Sequence, residues 1–141
     1  MSGAAEAGEP RETGEPHGAP TIRTLAMPAD ANPSGDIFGG WVLSQMDLAG
    51  GIAAGQRARG RVATVAIEAM TFLRPVAIGD VLCVYTEVTR VGRTSLSVQL
   101  EAWSLRGRLG QREKVTQGLF TFVALDEAGK PRPVDAPPAN G

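Results

Sequence analysis

Asp47 stands where an acid is least expected. It lies in the run "GDIFGGWVLSQMDLAGGIAA" (residues 35–54), between Met46 and Leu48 and among Trp, Val, Leu, Ile and Ala. On a helix, Gly40, Ser44, Asp47 and Gly51 share one small, polar face, because they recur at three- and four-residue steps. A carboxylate on such a face can act as a general base or as a nucleophile toward a carbonyl carbon. The pair Gly39-Gly40 stands at the start of the same helix, where the first N–H groups lack partners and carry partial positive charge. Glycines let an oxygen reach those groups, as stabilising an oxyanion requires. Each residue also has a plainer use. A helical Asp can be solvated or pair with an arginine across an interface. Asp36 can be an N-cap or turn residue, and the glycine pair can be a tight turn without a ligand.

Other chemistries lack their residues. The chain has 141 residues with one histidine, His17, and one cysteine, Cys83. His17 lies in a Gly/Pro/Glu-rich leader, outside any patterned segment. A Ser-His-Asp or Cys-His triad is therefore excluded, as is a histidine-held zinc. No metal and no cofactor is expected, which leaves carboxylates, backbone N–H groups and hydroxyls. Cys83 reads as a small apolar strand residue. A net charge of -1 argues against a general nucleic-acid-binding surface. No apolar run approaches the roughly 18 residues of a membrane span. The N-terminus shows no secretory pattern, so a cytoplasmic protein is expected.

The patterned elements that must position these groups come in a simple order. Residues 21–27 read as a strand, and "PADANPSGD" as turn chemistry. The apolar helix follows, over about 40–56. "VATVAIEAMTFL" (residues 62–73) reads as a strand ended by Arg74-Pro75. Further strands are expected at 81–91, 94–105 and 114–125. The third of these four has the clearest period of two, with Leu96, Val98, Leu100 and Ala102 on one side and Ser95, Ser97, Gln99 and Glu101 on the other. Phe120, Phe122 and their neighbours Leu119 and Val123 make the last strand apolar on both faces, which suits a central position. Short connections imply antiparallel neighbours. The fold class is α+β: an antiparallel β-sheet wrapped around one long central α-helix. Its open strand edges invite a symmetric partner. Residues 1–19 are expected to be a disordered leader, 20–126 the folded domain, and 127–141 a flexible Pro-rich tail.

"AMPADANPSGDIFGGWVLSQMDLAGGIAA", "GRVATVAIEAMTFLRPVAIGDVL" and "VGRTSLSVQLEAW" together resemble the bacterial YciA-type acyl-CoA thioesterases of the hotdog fold. The likeness runs over about 21–125. It implies hydrolysis of an acyl-CoA thioester to a free acid and CoA. It places the family's helix acid on Asp47, a second side chain on Asp36, and the carbonyl-polarising N–H near Gly39 and Gly40. It also implies that the two side chains come from opposite subunits of a homodimer, and that three dimers make a hexamer. Spacing agrees: Gly40 and Asp47 of one helix are about 10 Å apart by helix rise, too far to grip one carbonyl. The chain departs at Ala69-Met70-Thr71-Phe72, where relatives often read Ser-Met-Asn-Phe.

Residues for the rest of the substrate follow from the same patterns. Arg93, with Thr94 and Ser95 in the "VGRTS" turn, is a candidate for the CoA phosphates, as are Arg61, Arg74 and Arg90. Phe38, Trp41 and Val65 are candidates for lining an acyl or pantetheine tunnel, or else core. A dehydratase would need a histidine that the domain lacks. The alternative from another class is a non-catalytic acyl-CoA sensor, for which the tails supply no output module.

Overall fold

A computed structural model describes residues 15–107 and 110–135 of the chain. Five strands form one antiparallel sheet: β1 (Ile22–Leu25), β2 (Val62–Ile67), β3 (Val81–Val91), β4 (Ser95–Arg106) and β5 (Gln111–Ala124). The single long helix, α1 (Gly39–Ala58), follows β1 and a 3-10 turn at Pro28–Asp30. The sheet order is β1-β3-β4-β5-β2, so β1 and β2 are its edges and β5 is internal. The expected elements are all present.

Alternation along β4 builds the interface with the helix. Leu96, Val98, Leu100 and Ala102 are buried, and Ser95, Ser97, Gln99 and Glu101 point the other way and are partly exposed. Phe120 and Phe122 of β5 join them, beneath Met46, Ala49 and Ala54 of α1. Helix and sheet approach closely at one point. A methyl placed on Gly50 would lie 2.7 Å from the Phe122 ring and 3.4 Å from Leu100. Phe122 is also the register partner of Thr64 on β2.

The expected strand over 62–73 stops at Ile67. Its pairing with β5 shifts at a bulge between Thr64 and Ala66 and resumes at Ala66 and Ile67; beyond Ile67 the chain keeps only occasional bonds to β5, Glu68 N–H to Leu119 O at 3.0 Å and Leu73 N–H to Val115 O at 2.7 Å. Met70 packs into the notch left by Gly118, where a Cβ would come within 2.9 Å of it. The bulge brings Ile67 onto the same helix-facing side as Thr64, the two opposite Phe120 and Phe122.

The termini depart from the sequence expectation where they are described. Residues 126–135 are built into the domain rather than flexible. Asp126 Oδ1 accepts the N–H groups of Ala128 and Lys130 and closes a turn. Val134 is buried in the core, and its N–H bonds Arg93 O at 2.8 Å. Arg132 donates to Ala58 O at 2.8 Å, satisfying a carbonyl at the end of α1. One apolar side chain and one guanidinium thus anchor a Pro-rich stretch that composition alone makes a tail. The remaining tail positions, 136–141, and leader positions 1–14 lie outside the described residues.

At the other end, Glu15 pairs with Arg112 at 3.1 Å, and the Thr21 and Thr86 hydroxyls meet at 2.6 Å. Beneath lies a second buried cluster on the sheet's outer face, made by Cys83, Tyr85 and Trp103. The Trp103 indole N–H donates to Glu101 at 2.9 Å, and buried Lys114 donates to Gln117 at 2.7 Å beside it. Cys83 is the small buried strand residue expected of it.

The Gly50 contact is testable by substitution. Alanine in a helix interior is ordinarily favoured over glycine by about 0.8–1.0 kcal/mol. Gly51→Ala meets only ordinary contact, with Phe122 at 4.0 Å, and should leave stability unchanged or raised. Gly50→Ala must displace the Phe122 ring and should cost about 1–3 kcal/mol, read by denaturant unfolding.

Candidate active site

The carboxylate of Asp47 is held, not loose. Thr64 Oγ1 donates to Asp47 Oδ1 at 2.5 Å, from the bulged edge strand to the middle of the helix. Asp47 is partly buried, and apolar side chains surround its side of the molecule. Leu48 (58% exposed), Ile52 (44%), Val65 (58%) and Ile67 (42%) leave an apolar strip along α1 and β2. One chain leaves this side of the helix open.

The start of α1 is built to leave N–H groups free. Its N-cap is Phe38, which has no side chain able to cap. Phe38 N–H is taken by Asp30 O at 3.1 Å, and Trp41 N–H by Phe38 O at 3.0 Å. Among the described residues, neither the Gly39 nor the Gly40 N–H has an acceptor. A Cβ on Gly40 would meet nothing within 4 Å, so its surroundings are open. Two unpaired N–H groups at a positive helix end are an oxyanion site in form.

The loop leading into the helix is ordered by Asn32. Its Oδ1 accepts the N–H groups of Ser34 at 3.0 Å and Asp36 at 3.1 Å. Asp36 bridges to Ala77 through its backbone, and its exposed carboxylate has no hydrogen bond among the described residues. Buried Asp80 fixes the segment on which this loop rests. Its carboxylate accepts Ala77 N–H at 2.9 Å and two bonds from Arg106, at 2.8 and 3.0 Å. Burial pushes the Asp80 carboxyl up, but the Arg106 hydrogen bonds, the Ala77 N–H and the Arg106 charge outweigh it. The net result lies below the ordinary carboxylate value.

The remaining expected site residues divide into two groups. Phe38 is half exposed at the helix start, Trp41 packs on the core, and Val65 is the bulged, exposed residue of β2. Ser44 is spent within the helix, its hydroxyl donating to Trp41 O at 2.8 Å. Arg93, Thr94 and Ser95 sit at the far end of α1. Thr94 O accepts Ala124 N–H, Arg93 O accepts Val134 N–H, and Arg61 O accepts Leu125 N–H, all near the Arg132 cap. The 20-residue helix puts about 30 Å between this cluster and Gly39 of the same chain. Arg74 stands apart from it, donating to Lys114 O at 3.0 Å and lying 3.9 Å from Glu113.

Thr64 is the site residue that sequence reading missed. A threonine in "VATVAI" looks like any β-branched strand residue, and only its register against Phe122 on the helix side of the sheet aims it at Asp47. The Asp80–Arg106 pair was missed for a similar reason, since its partners stand 26 residues apart, whereas Asn32 works locally through the N–H groups of Ser34 and Asp36.

Comparison with known proteins fits this geometry. The thioesterase superfamily profile matches residues 34–111. The acyl-CoA thioester hydrolase YciA of Salmonella typhimurium is 54% identical over 122 residues, 84% of this chain and 92% of that protein. The crystal structure of a hexameric thioesterase from Yersinia pestis superposes with a TM-score of 0.81 at 50% identity, covering 87% of this chain and 100% of that one. A hexameric hotdog-fold thioesterase of Campylobacter jejuni superposes with a TM-score of 0.78 at 44% identity, covering 82% and 90%. The chain has the hotdog fold and belongs to the thioesterase superfamily, among its acyl-CoA thioester hydrolases.

The Asp80 anchor predicts a pH dependence. Its folded-state pKa lies below the unfolded value of about 3.9, so its stabilisation is present above that pH and is lost as pH falls through the folded value. Arg106→Ala should lower the thermal midpoint near neutral pH. The gap to wild type should close in acid below about pH 3.9, as followed by circular dichroism melts.

Proposed function

We propose that this protein hydrolyses acyl-CoA thioesters to a carboxylic acid and CoA, with Asp47 acting on the thioester carbonyl. The observation that carries the reading is the pairing of a Thr64-held carboxylate with a helix start whose first two N–H groups are unspent. The family and its named relatives support the same activity.

Asp47 and the Gly39–Gly40 N–H groups of one chain are too far apart to meet at one carbonyl. A two-fold partner resolves this. Among the described residues, the outer edge of β2 has no strand beside it, and the exposed strip of Leu48, Ile52, Val65 and Ile67 lies along it. Pairing β2 with its own copy covers the strip and sets the helices antiparallel. The helix start of the partner then faces Asp47. The solved hexameric relatives support three such dimers as the full assembly. Val65 serves this interface rather than a tunnel.

In the reaction, water adds to the carbonyl carbon as Asp47 takes its proton, and the electron pair of the C=O bond moves onto oxygen, where the partner's N–H groups hold it. The pair returns, the C–S bond breaks, and the CoA thiolate leaves with the proton from Asp47. Direct attack by Asp47 to give a mixed anhydride, then hydrolysed, uses the same groups. Asp36 orients the water or carbonyl from the helix lead-in. Arg61, Arg93, Thr94 and Ser95 supply donors for the phosphates at the far end of α1, which in the dimer lies beside the partner's helix start. The proposed compartment is the cytoplasm, whose reducing conditions suit the lone, buried thiol of Cys83. Among the described residues, no helix is long and apolar enough to cross a membrane.

The test is thiol release from a panel of acyl-CoAs. Asp47→Asn should lower kcat by roughly 10²–10⁴-fold with the fold intact. Thr64→Val should lower kcat by roughly 10–100-fold, the worth of a hydrogen bond to a charged group. CoA binding without any thiol release from wild type would favour the sensor instead.

A further inference from the structure

We propose that Phe72 sets the acyl-chain preference of this site, as the movable wall of a groove that takes the hydrocarbon chain. The inference rests on the thioesterase reading above. A groove of about 310 Å3 opens at the start of α1, lined chiefly by Ile37, Gly39, Val42, Phe72 and Val76, with Arg74 at its margin. That volume is at the lower end of the roughly 300–1,000 Å3 of small-molecule sites. Gly39 belongs both to the groove and to the free N–H pair, so a carbonyl held by those N–H groups places its substituent at the groove.

The chemistry of the lining selects hydrocarbon over the charged half of the substrate. Ile37, Val42 and Val76 are buried and apolar. The one cation there, Arg74, already donates to Lys114 O and stands by Glu113. The floor is fixed, because Ile37 N–H bonds Val76 O at 3.1 Å and Asp80 pins the segment behind it. Phe72 differs from the floor. It is the largest side chain of the lining, yet 45% exposed, in a connection tied to β5 next door through Leu73 N–H. A Cβ on Gly39 would stand 3.6 Å from the Phe72 ring, so the ring lies against the helix start itself. A chain leaving the carbonyl meets this ring first, and its volume decides how much chain fits. A difference of one or two methylenes in such a pocket changes specificity by about tenfold or more.

The experiment measures kcat/KM of the full-length protein for straight-chain acyl-CoAs from acetyl to palmitoyl, with a thermal melt of each variant. Phe72→Ala should raise the palmitoyl-to-butanoyl ratio of kcat/KM by at least about tenfold, and Phe72→Trp should lower it by a similar factor. Phe72→Leu should fall between Phe72→Ala and wild type, and it reads the same ratio if the alanine variant does not fold. An unchanged ratio in the variants, or an equal loss at every chain length, overturns the proposal while leaving the thioesterase reading intact. A wild type that cleaves no member of the series overturns both.

Discussion

The seat of α1 on the sheet turns on one missing side chain. Gly50 lets the Phe122 ring lie against the helix backbone, and this sets how near α1 comes to the strands. Phe122 pairs in register with Thr64, and Thr64 reaches Asp47, one helical turn before Gly50. A helix held farther from the sheet would take Asp47 out of hydrogen-bond range of Thr64. Close packing and the placement of the carboxylate are therefore the same constraint. Interiors packed as densely as crystals transmit such contacts instead of absorbing them.

The two ends of α1 are treated in opposite ways. At the C-terminus, Arg59 adopts a left-handed conformation, its N–H and that of Gly60 bond Gly55 O, and Arg132 reaches Ala58 O. These contacts satisfy orphan carbonyls and place positive charge at the negative end of the dipole. At the N-terminus, Phe38 occupies the position where Ser, Thr, Asp or Asn would supply an oxygen. A capping side chain there typically contributes about 1 kcal/mol. The chain forgoes that stabilisation at the end where an incoming oxygen can use the N–H groups.

Much of this was legible in the residues. Asp47 announced itself by its apolar neighbours, and β4 by its strict alternation. The glycine pair marked the helix start to within one residue. What escaped depended on contacts between distant segments. Thr64 gains its role from its register against Phe122, and nothing in "VATVAI" specifies which side of the strand it faces. Residues 126–135 have the composition of a linker, yet Val134 and Arg132 tie them down, and a composition average cannot register two residues. The strand expected over 62–73 ended at Ile67, and beyond it Met70 packs against Gly118, a complementarity between positions forty-eight apart that no local pattern encodes.

The strand that carries Thr64 is also the strand with an open edge. Six residues thus hold both the partner of the Asp47 carboxylate and the rim along which a second chain would join. Turnover and self-association would then read the same ribbon of backbone. Whatever loosens that rim loosens the only side-chain tether of Asp47 among the described residues, so the docking of a neighbour along β2 and the fixing of the carboxylate would tighten together.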